Sequence, residues 1–250
     1  MIELNKIYNE DCLEGMKRIP DKSVDMILCD LPYGTTRNKW DSIIPLEPLW
    51  EQYERVIKDN GAIVLTAQTP FDKVLGVSNL KLLRYEWIWE KTTSTGFLNA
   101  KKMPMKAHEN ILVFYKKLPT YNPQKTTGHP RKVSTAEHKV GSKATSNYGE
   151  HGLTGYDSTE RYPRSVQLFS TDKQKIAIHP TQKPVALFTY LIKTYTNEGE
   201  TVLDTCMGGG TTAVSCIDTG RKYIGFEIGE KEFTDANERI AKHLIERQGD

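Results

Sequence analysis

A chain of 250 residues with 34 Lys plus Arg, 32 Asp plus Glu and four cysteines carries a net charge of +2. That length suits one large domain, or one domain with an insert, whose core needs no disulfide staples. Cys12, Cys29, Cys206 and Cys216 form no C-x-x-C pair, which speaks against structural zinc. No apolar run approaches the ~20 residues of a membrane span, and the start MIELNKIYNED lacks the apolar centre of a secretory signal, so a soluble cytoplasmic protein is expected.

Val24 to Asp30 (VDMILCD) is an apolar run ending in an acid, the pattern of a buried parallel strand. From Pro45 to Lys58, Leu46, Leu49, Trp50, Tyr53, Val56 and Ile57 recur on one helical face. Gly61 stands where a helix C-terminal glycine belongs, and Ala62 to Ala67 (AIVLTA) is the next expected strand. Two more strands are expected at Arg84 to Lys91, where Trp87 and Trp89 alternate, and at Glu109 to Lys116 (ENILVFYK).

Between Lys116 and Lys183 the balance changes. Twelve Lys plus Arg face five Asp plus Glu, a local net of +7 that leaves −5 for the remainder. Only 12 of the 56 residues from Thr120 to Lys175 are apolar, without sustained periodicity, so an irregular insert is expected. A solvated loop has this composition, and so has a nucleic-acid surface with interleaved Tyr121, Tyr148, Tyr156 and Tyr162. His129, His138 and His151 have no metal-ligand spacing.

Beyond the insert, Pro184 opens a helix running to about Thr194, with proline at the tolerated first turn. Thr201 to Asp204 is a strand, Thr211 to Thr219 a helix and Tyr223 to Glu227 a strand. Lys231 to Gln248 closes as a helix, apolar at Phe233, Ala236, Ile240, Leu244 and Ile245. Strands alternating with helices predict a doubly wound, mostly parallel α/β sheet.

Ligands of such sheets bind beyond the carboxyl ends of the strands, where two turns stand out. In VLDTCMGGGTT (Val202 to Thr212) an acid ends the strand, glycines make a tight turn, and a helix start offers free N–H donors. Glu227 ends the next strand, placed for a ribose. Gly208, Gly210 and Ala213 also satisfy the loose G-x-G-x-x-A pattern of nicotinamide binding. Asp204 would repel a pyrophosphate, however, and suits a ligand bearing ammonium or sulfonium, which points to S-adenosylmethionine. The second turn, CDLPYG (Cys29 to Gly34), sets an acid, a stiff proline and a tyrosine directly after a buried strand. It reads as a clamp for a planar amino-heterocycle.

Together these motifs resemble the β-class amino-DNA methyltransferases, whose hallmark is D/N/S-P-P-Y. The chain has DLPY at Asp30 to Tyr33. NEDCLEGM (Asn9 to Met16) is similar to the family's opening segment, WIWEK and HENILVFYK to the strands after the catalytic one, and HPTQKP (His179 to Pro184) to the block before the cofactor loop. VLDTCMGGGTT followed by GFEI is similar to the cofactor half. Catalytic half, insert, cofactor half is the permuted order of the class. Leu31 departs from the motif by replacing its first proline. Thr205, Cys206 and Gly209 stand where D-P-F-x-G-S-G is usual.

The resemblance implies a Rossmann-like, S-adenosylmethionine-dependent methyltransferase sheet with an irregular basic insert. Residues 1–118 would be the catalytic half, 119–176 the target-recognition insert and 177–250 the cofactor half. It implies an enzyme that moves a methyl group from S-adenosylmethionine to N6 of an adenine flipped out of duplex DNA. Asp30 in the first motif position favours adenine over cytosine N4, and the basic insert favours DNA over a glutamine side chain of a protein.

By the same resemblance, Asp30, Leu31, Pro32 and Tyr33 are catalytic, with no metal. The cofactor set is Asp11, Cys12, Asp30, His179, Thr181, Lys183, Asp204, Gly208, Gly210, Thr211, Thr212, Glu227 and Ile228. Within it, Asp11 faces the adenine amine, Glu227 the ribose, and Asp204 with Lys183 the methionine end. Lys125, Arg131, Lys132, Lys139, Lys143, Arg161 and Arg164 would contact DNA. Expected partners are double-stranded DNA and a cognate restriction endonuclease, with no membrane, for a monomer or homodimer in bacterial or phage-infected cytoplasm. A nicotinamide oxidoreductase would leave DLPY and the insert unexplained. A non-catalytic DNA-binding module would leave both ligand turns without purpose.

Overall fold

The computed structural model describes residues 2–34, 42–134, 155–171 and 182–248. They fall into two compact units, one of Met1–Asn122 with Ser165–Asp250 and one of Pro123–Arg164. The strands are β1 (Lys6–Tyr8), β2 (Val24–Asp30), β3 (Ile57–Ala67), β4 (Leu83–Thr95), β5 (Lys106–Phe114), β6 (Lys132–Ser134), β7 (Tyr156–Ser158), β8 (Val166–Phe169), β9 (Thr201–Asp204) and β10 (Lys222–Phe226). The helices are α1 (Cys12–Met16), α2 (Leu46–Val56), α3 (Phe71–Ser78), α4 (Val185–Tyr195), α5 (Thr211–Thr219) and α6 (Glu230–Gln248).

The larger unit carries an eight-stranded sheet in the order β1-β10-β9-β2-β3-β5-β4-β8. Pairs from β1 to β3 are parallel, as is β4–β8. β5 runs antiparallel to both neighbours, because a short hairpin joins it to β4. The alternation of strand side chains divides the core. Ile27 and Cys29, with Ile63 and Leu65, pack beneath α1, α2 and α3. Met26 and Leu28, with Ala62 and Val64, pack beneath α4, α5 and α6. The result is a sheet covered on both faces, which explains why VDMILCD shows no apolar–polar alternation.

The expected strand–helix alternation is present, with differences. Gly61 is no helix cap: it lies within β3, where a Cβ would come within 2.7 Å of the Asp25 carbonyl, beside a register shift against β2. Strands β1 and β8 and helices α1 and α3 are too short to show a sequence period. The compact unit is also narrower than the expected insert of 119–176. Val166–Phe169 belongs to the large sheet, where β4 supplies its backbone partners. In α6, Ala236 and Ile240 are buried, but Leu244 and Ile245 are exposed. Among the described residues no helix is long and apolar enough to cross a membrane.

Candidate active site

The neighbours β2 and β9 are the switch point of the sheet. From β2 the chain moves to β3 on one side, and from β9 to β10 on the other. Such a reversal leaves a crevice at the carboxyl ends of the two strands. There the molecule has a cleft of about 860 Å³, with Asp30 at the end of β2 and Asp204 at the end of β9 in its wall. That volume suits a ligand of cofactor size.

The Asp30 carboxylate is held from three directions. Its Oδ1 accepts from the Tyr33 hydroxyl at 2.7 Å and from the Thr66 hydroxyl, and its Oδ2 accepts from Lys183 Nζ at 2.6 Å. Thr66 stands opposite Asp30 in the β2–β3 register, so the sheet itself delivers that donor. Lys183 also pairs with Glu109 at 3.2 Å, and Glu109 pairs with Lys91 at 2.5 Å and accepts from Gln68 at 2.8 Å. Lys91, Glu109, Lys183 and Asp30 thus form a chain of alternating charge reaching from β4 and β5 to the cleft. Burial pushes the Lys183 ammonium down, but Asp30 and Glu109 outweigh it and hold the group above its ordinary value. Burial likewise pushes Glu109 up, and the two lysines outweigh it, leaving the carboxylate below the usual range.

Tyr33, the aromatic residue of the expected clamp, is already engaged within the fold. Its ring stacks on Phe71 at 5.5 Å, lies beneath the Lys183 ammonium at 5.5 Å, and directs its hydroxyl to Asp30. Burial, then the nearby Asp30 charge, push its phenol well above the ordinary range, so it remains a donor. Leu31 is buried in the core and leaves its backbone carbonyl as its polar group, while Pro32 lines the cleft.

On the other wall, Asp204 is buried and accepts from the Thr212 hydroxyl and the Cys206 N–H. Burial pushes its carboxyl up to about 6. Gly208 and Gly210 have φ of +50° and +77°, which L side chains adopt at a cost, and they turn the chain into α5. Thr211 is the first residue of that helix. Glu227 Oε2 accepts from Gly208 N–H and Oε1 from Gly229 N–H, both at 2.8 Å, which ties the glycine turn to the end of β10. Asp11 caps α1 by accepting from Leu13 N–H, Cys12 is buried behind it, and Ile228 is exposed at the rim.

The cleft therefore gathers Asp30, Leu31, Pro32, Tyr33, Asp11, Cys12, Lys183, Asp204, Gly208, Thr211, Thr212, Glu227 and Ile228. Gly210 shapes the same turn. Lys183 pairs with Asp30 and Glu109 rather than Asp204. His179 and Thr181, and Lys139 and Lys143 of the insert, lie outside the described residues. Thr66, Gln68, Phe71, Lys91 and Glu109 were not expected at the site. One available signal was Glu109 itself, an acid opening the apolar run ENILVF, since a buried charge requires partners.

In the smaller unit, β6 pairs antiparallel with β7. Several of its expected DNA contacts have internal partners: Arg131 with Asp157, and Lys125 with Glu160 at 2.9 Å. The Arg161 guanidinium donates to the Tyr156 hydroxyl and to the carbonyls of Ser158, Glu160 and Pro130. Arg161 thus holds the unit together, which no count of charge along the sequence reveals. Lys132 is exposed on β6.

Asp204 has a consequence for stability. A carboxyl whose folded pKa, about 6, exceeds its reference of 3.8 destabilises the fold when ionised. That cost is fully present above the folded value and absent below the reference. Asp204→Asn, which keeps acceptor and donor for Cys206 and Thr212, is expected to raise stability at pH 8 by on the order of 2 kcal/mol. Urea unfolding should show the gain shrinking between pH 7 and pH 4; a gain that grows on acidification contradicts the assignment.

The family model described as DNA methylase, of N6/N4 type, matches residues 24–238. A DNA adenine methyltransferase of Escherichia coli K12, YhdJ, is 29% identical over 244 residues, spanning 92% of this chain and 80% of that protein. The type II methyltransferase M1.MboII of Moraxella bovis is 26% identical over 258 residues, spanning 95% and 96%. Among solved structures, the M1.HpyAVI–SAM complex aligns with a TM-score of 0.62 at 24% identity over 94% of this chain and 98% of that one. The cytosine-N4-specific PvuII DNA methyltransferase aligns at 0.68 with 14% identity, over 95% and 90%. With its two carboxylates at the switch point and the family match over most of its length, this chain belongs to the N6/N4 DNA methylases.

Proposed function

We propose that the protein methylates N6 of an adenine flipped out of duplex DNA, with S-adenosylmethionine as methyl donor. The observation that carries this reading is the loading of the Asp30 carboxylate. Its oxygens offer about four acceptor positions, of which Tyr33, Thr66 and Lys183 take three, leaving room on Oδ2 for an amine hydrogen. The Leu31 carbonyl beside it would accept the second hydrogen. An amine held this way has its nitrogen lone pair drawn out of conjugation, and the carboxylate stabilises positive charge growing on that nitrogen. The Lys183 and Thr66 contacts keep the carboxylate from rotating away. With its ring already on Phe71, Tyr33 contributes chiefly its hydroxyl to this arrangement.

S-adenosylmethionine, when bound, supplies an electrophilic methyl group on a sulfonium. The residues of the second wall fit it. A Cβ on Gly208 would meet nothing nearer than the Cys206 carbonyl at 3.9 Å, so the turn leaves room for a ligand. Glu227 stands ready to exchange its backbone donors for ribose hydroxyls, and Asp204 offers negative charge to an ammonium. Asp11 and Cys12 would flank the adenine, with Thr211, Thr212 and Ile228 beside them. Glu227→Ala is therefore expected to weaken S-adenosylmethionine binding at least about tenfold by calorimetry. NAD binding in its place would favour an oxidoreductase.

Adenine is supported by the acid at the head of DLPY and by the likeness to the adenine methyltransferase YhdJ. Cytosine N4 is the second reading, favoured by the PvuII likeness. Labelled methyl transfer to duplex DNA, followed by digestion to nucleosides, decides between them. N6-methyladenine is the expected product, and N4-methylcytosine would overturn the base assignment.

The smaller unit is the proposed phosphate-gripping, target-reading part of the protein, by its charge and its exposed Lys132 and Tyr162. Lys132→Ala with Arg164→Ala should lower the slope of log affinity against log salt by about two units. An unchanged slope would move the DNA surface elsewhere.

A further inference from the structure

The hairpin joining β4 to β5 ends in a tip whose composition the fold does not use. Gly96 to Lys106 reads GFLNAKKMPMK, with three lysines and no acid. Gly96, at φ +90°, leads into a single 3₁₀ turn of Phe97–Asn99. Phe97 is 77% exposed, Leu98 96% and Met103 54%, although side chains of this kind are normally buried. Exposure of three together on one short tip marks a surface that meets something. The same hairpin lines the cleft, with Thr95, Gly96, Asn99 and Lys106 in its wall beside Tyr33 and Glu109. Lys106 is further anchored there by donating to Gln68 at 3.2 Å.

We infer that this tip is a wedge that enters duplex DNA where the target base leaves the stack. The inference rests on the DNA-methylating reading above. A base reaches a cleft of this kind only by unstacking, which costs energy, and the gap it leaves exposes apolar faces of the neighbouring pairs. Phe97 and Leu98 are the size and chemistry that fill such a gap, as apolar wedges do between base steps. Lys101 and Lys102 follow after Asn99 and Ala100 and match the phosphates on either side. The tip stands at the mouth of the cleft that takes the base, so insertion and extrusion are two ends of one movement. An acidic protein surface would satisfy the lysines but gives no reason for the tip to share a wall with the methyl-transfer site.

The test uses the full chain and a short duplex containing the methylated site, identified by sequencing DNA treated with the wild type. Phe97→Ser with Leu98→Ser changes exposed residues only, so the fold is retained. The double variant should methylate the paired duplex at least about tenfold more slowly, yet act almost normally when the target base is mismatched and already loosened. Fluorescence of 2-aminopurine at the target should rise on binding of wild type and not of the variant. Lys101→Gln with Lys102→Gln should weaken affinity for both duplexes equally. Equal loss on paired and mismatched DNA, or none on either, overturns the wedge while leaving the methylation reading intact. A wild type that methylates no DNA removes that reading and the wedge with it. A dimer that the Phe97→Ser, Leu98→Ser variant dissociates would assign the tip to a second copy of the chain and overturn the inference.

Discussion

Asp30→Ala is expected to reduce methyl transfer by on the order of 10² to 10³ or more while leaving affinity for S-adenosylmethionine within a few-fold. The asymmetry follows from where the carboxylate acts. Its proposed partner is the amine nitrogen, whose positive charge exists only as the new bond forms, so the interaction is strongest in the transition state. Loss of such an interaction appears in kcat rather than in KM. The fold should tolerate the change, because Lys183 retains Glu109 as a counter-charge at 3.2 Å. Single-turnover transfer of labelled methyl, with calorimetry on the same samples, separates the two effects. Transfer at near wild-type rate would remove Asp30 from the mechanism.

Lys183→Met should show the largest loss of stability among single changes at the site. The ammonium is buried between two carboxylates, and removing it leaves Asp30 and Glu109 facing each other without their shared cation. Breaking a buried ion pair on one side typically costs about 3–5 kcal/mol. The sign of its pH dependence is fixed by Glu109. In the wild type that carboxyl is held below its ordinary value, with burial opposing and the two lysines prevailing. Its ionised form therefore stabilises the fold above the unfolded pKa, and this contribution is lost as pH falls through the folded value. Without Lys183 burial weighs more, the folded value rises, and protonation relieves the variant. Urea midpoints should differ most at pH 8 and converge towards pH 5. A gap that ignores pH, or stays below about 1 kcal/mol, would mean that the pair is effectively solvated. Adding Glu109→Gln should recover part of the stability and none of the activity, because Asp30 would still lack its positioning cation.

Much of this was legible along the chain because it depends on short-range pattern. A strand buried on both faces must be an unbroken apolar run, hence Val24 to Asp30. A turn with positive φ selects glycine, hence Gly208 and Gly210 before Thr211. A helix on a sheet shows its face as period, hence Leu49, Trp50, Tyr53 and Val56. Where the period runs past the sheet, as at Leu244 and Ile245, the sequence overstates the core. Elements of three to five residues, such as β1 and α1, carry too few positions to show a period at all.

By itself, then, the sequence determined the alternating α/β class, the two turns at strand ends and the acid that heads each of them, since each is written in neighbouring residues. Only the tertiary structure decided which distant groups meet those acids. Thr66 reaches Asp30 through strand register. Lys183, although 153 positions away in sequence, arrives because β2 and β9 are neighbours at the switch point. Glu109 is brought to the cleft by an antiparallel strand and satisfied there by Lys91. Arg131 and Arg161, basic in any count, are tied to Asp157 and to backbone carbonyls within their own unit. The physical reason is common to all four cases. Charge and hydrogen-bonding capacity belong to a residue, but whether they are spent on the fold or kept for a ligand depends on what packing places within about 3 Å.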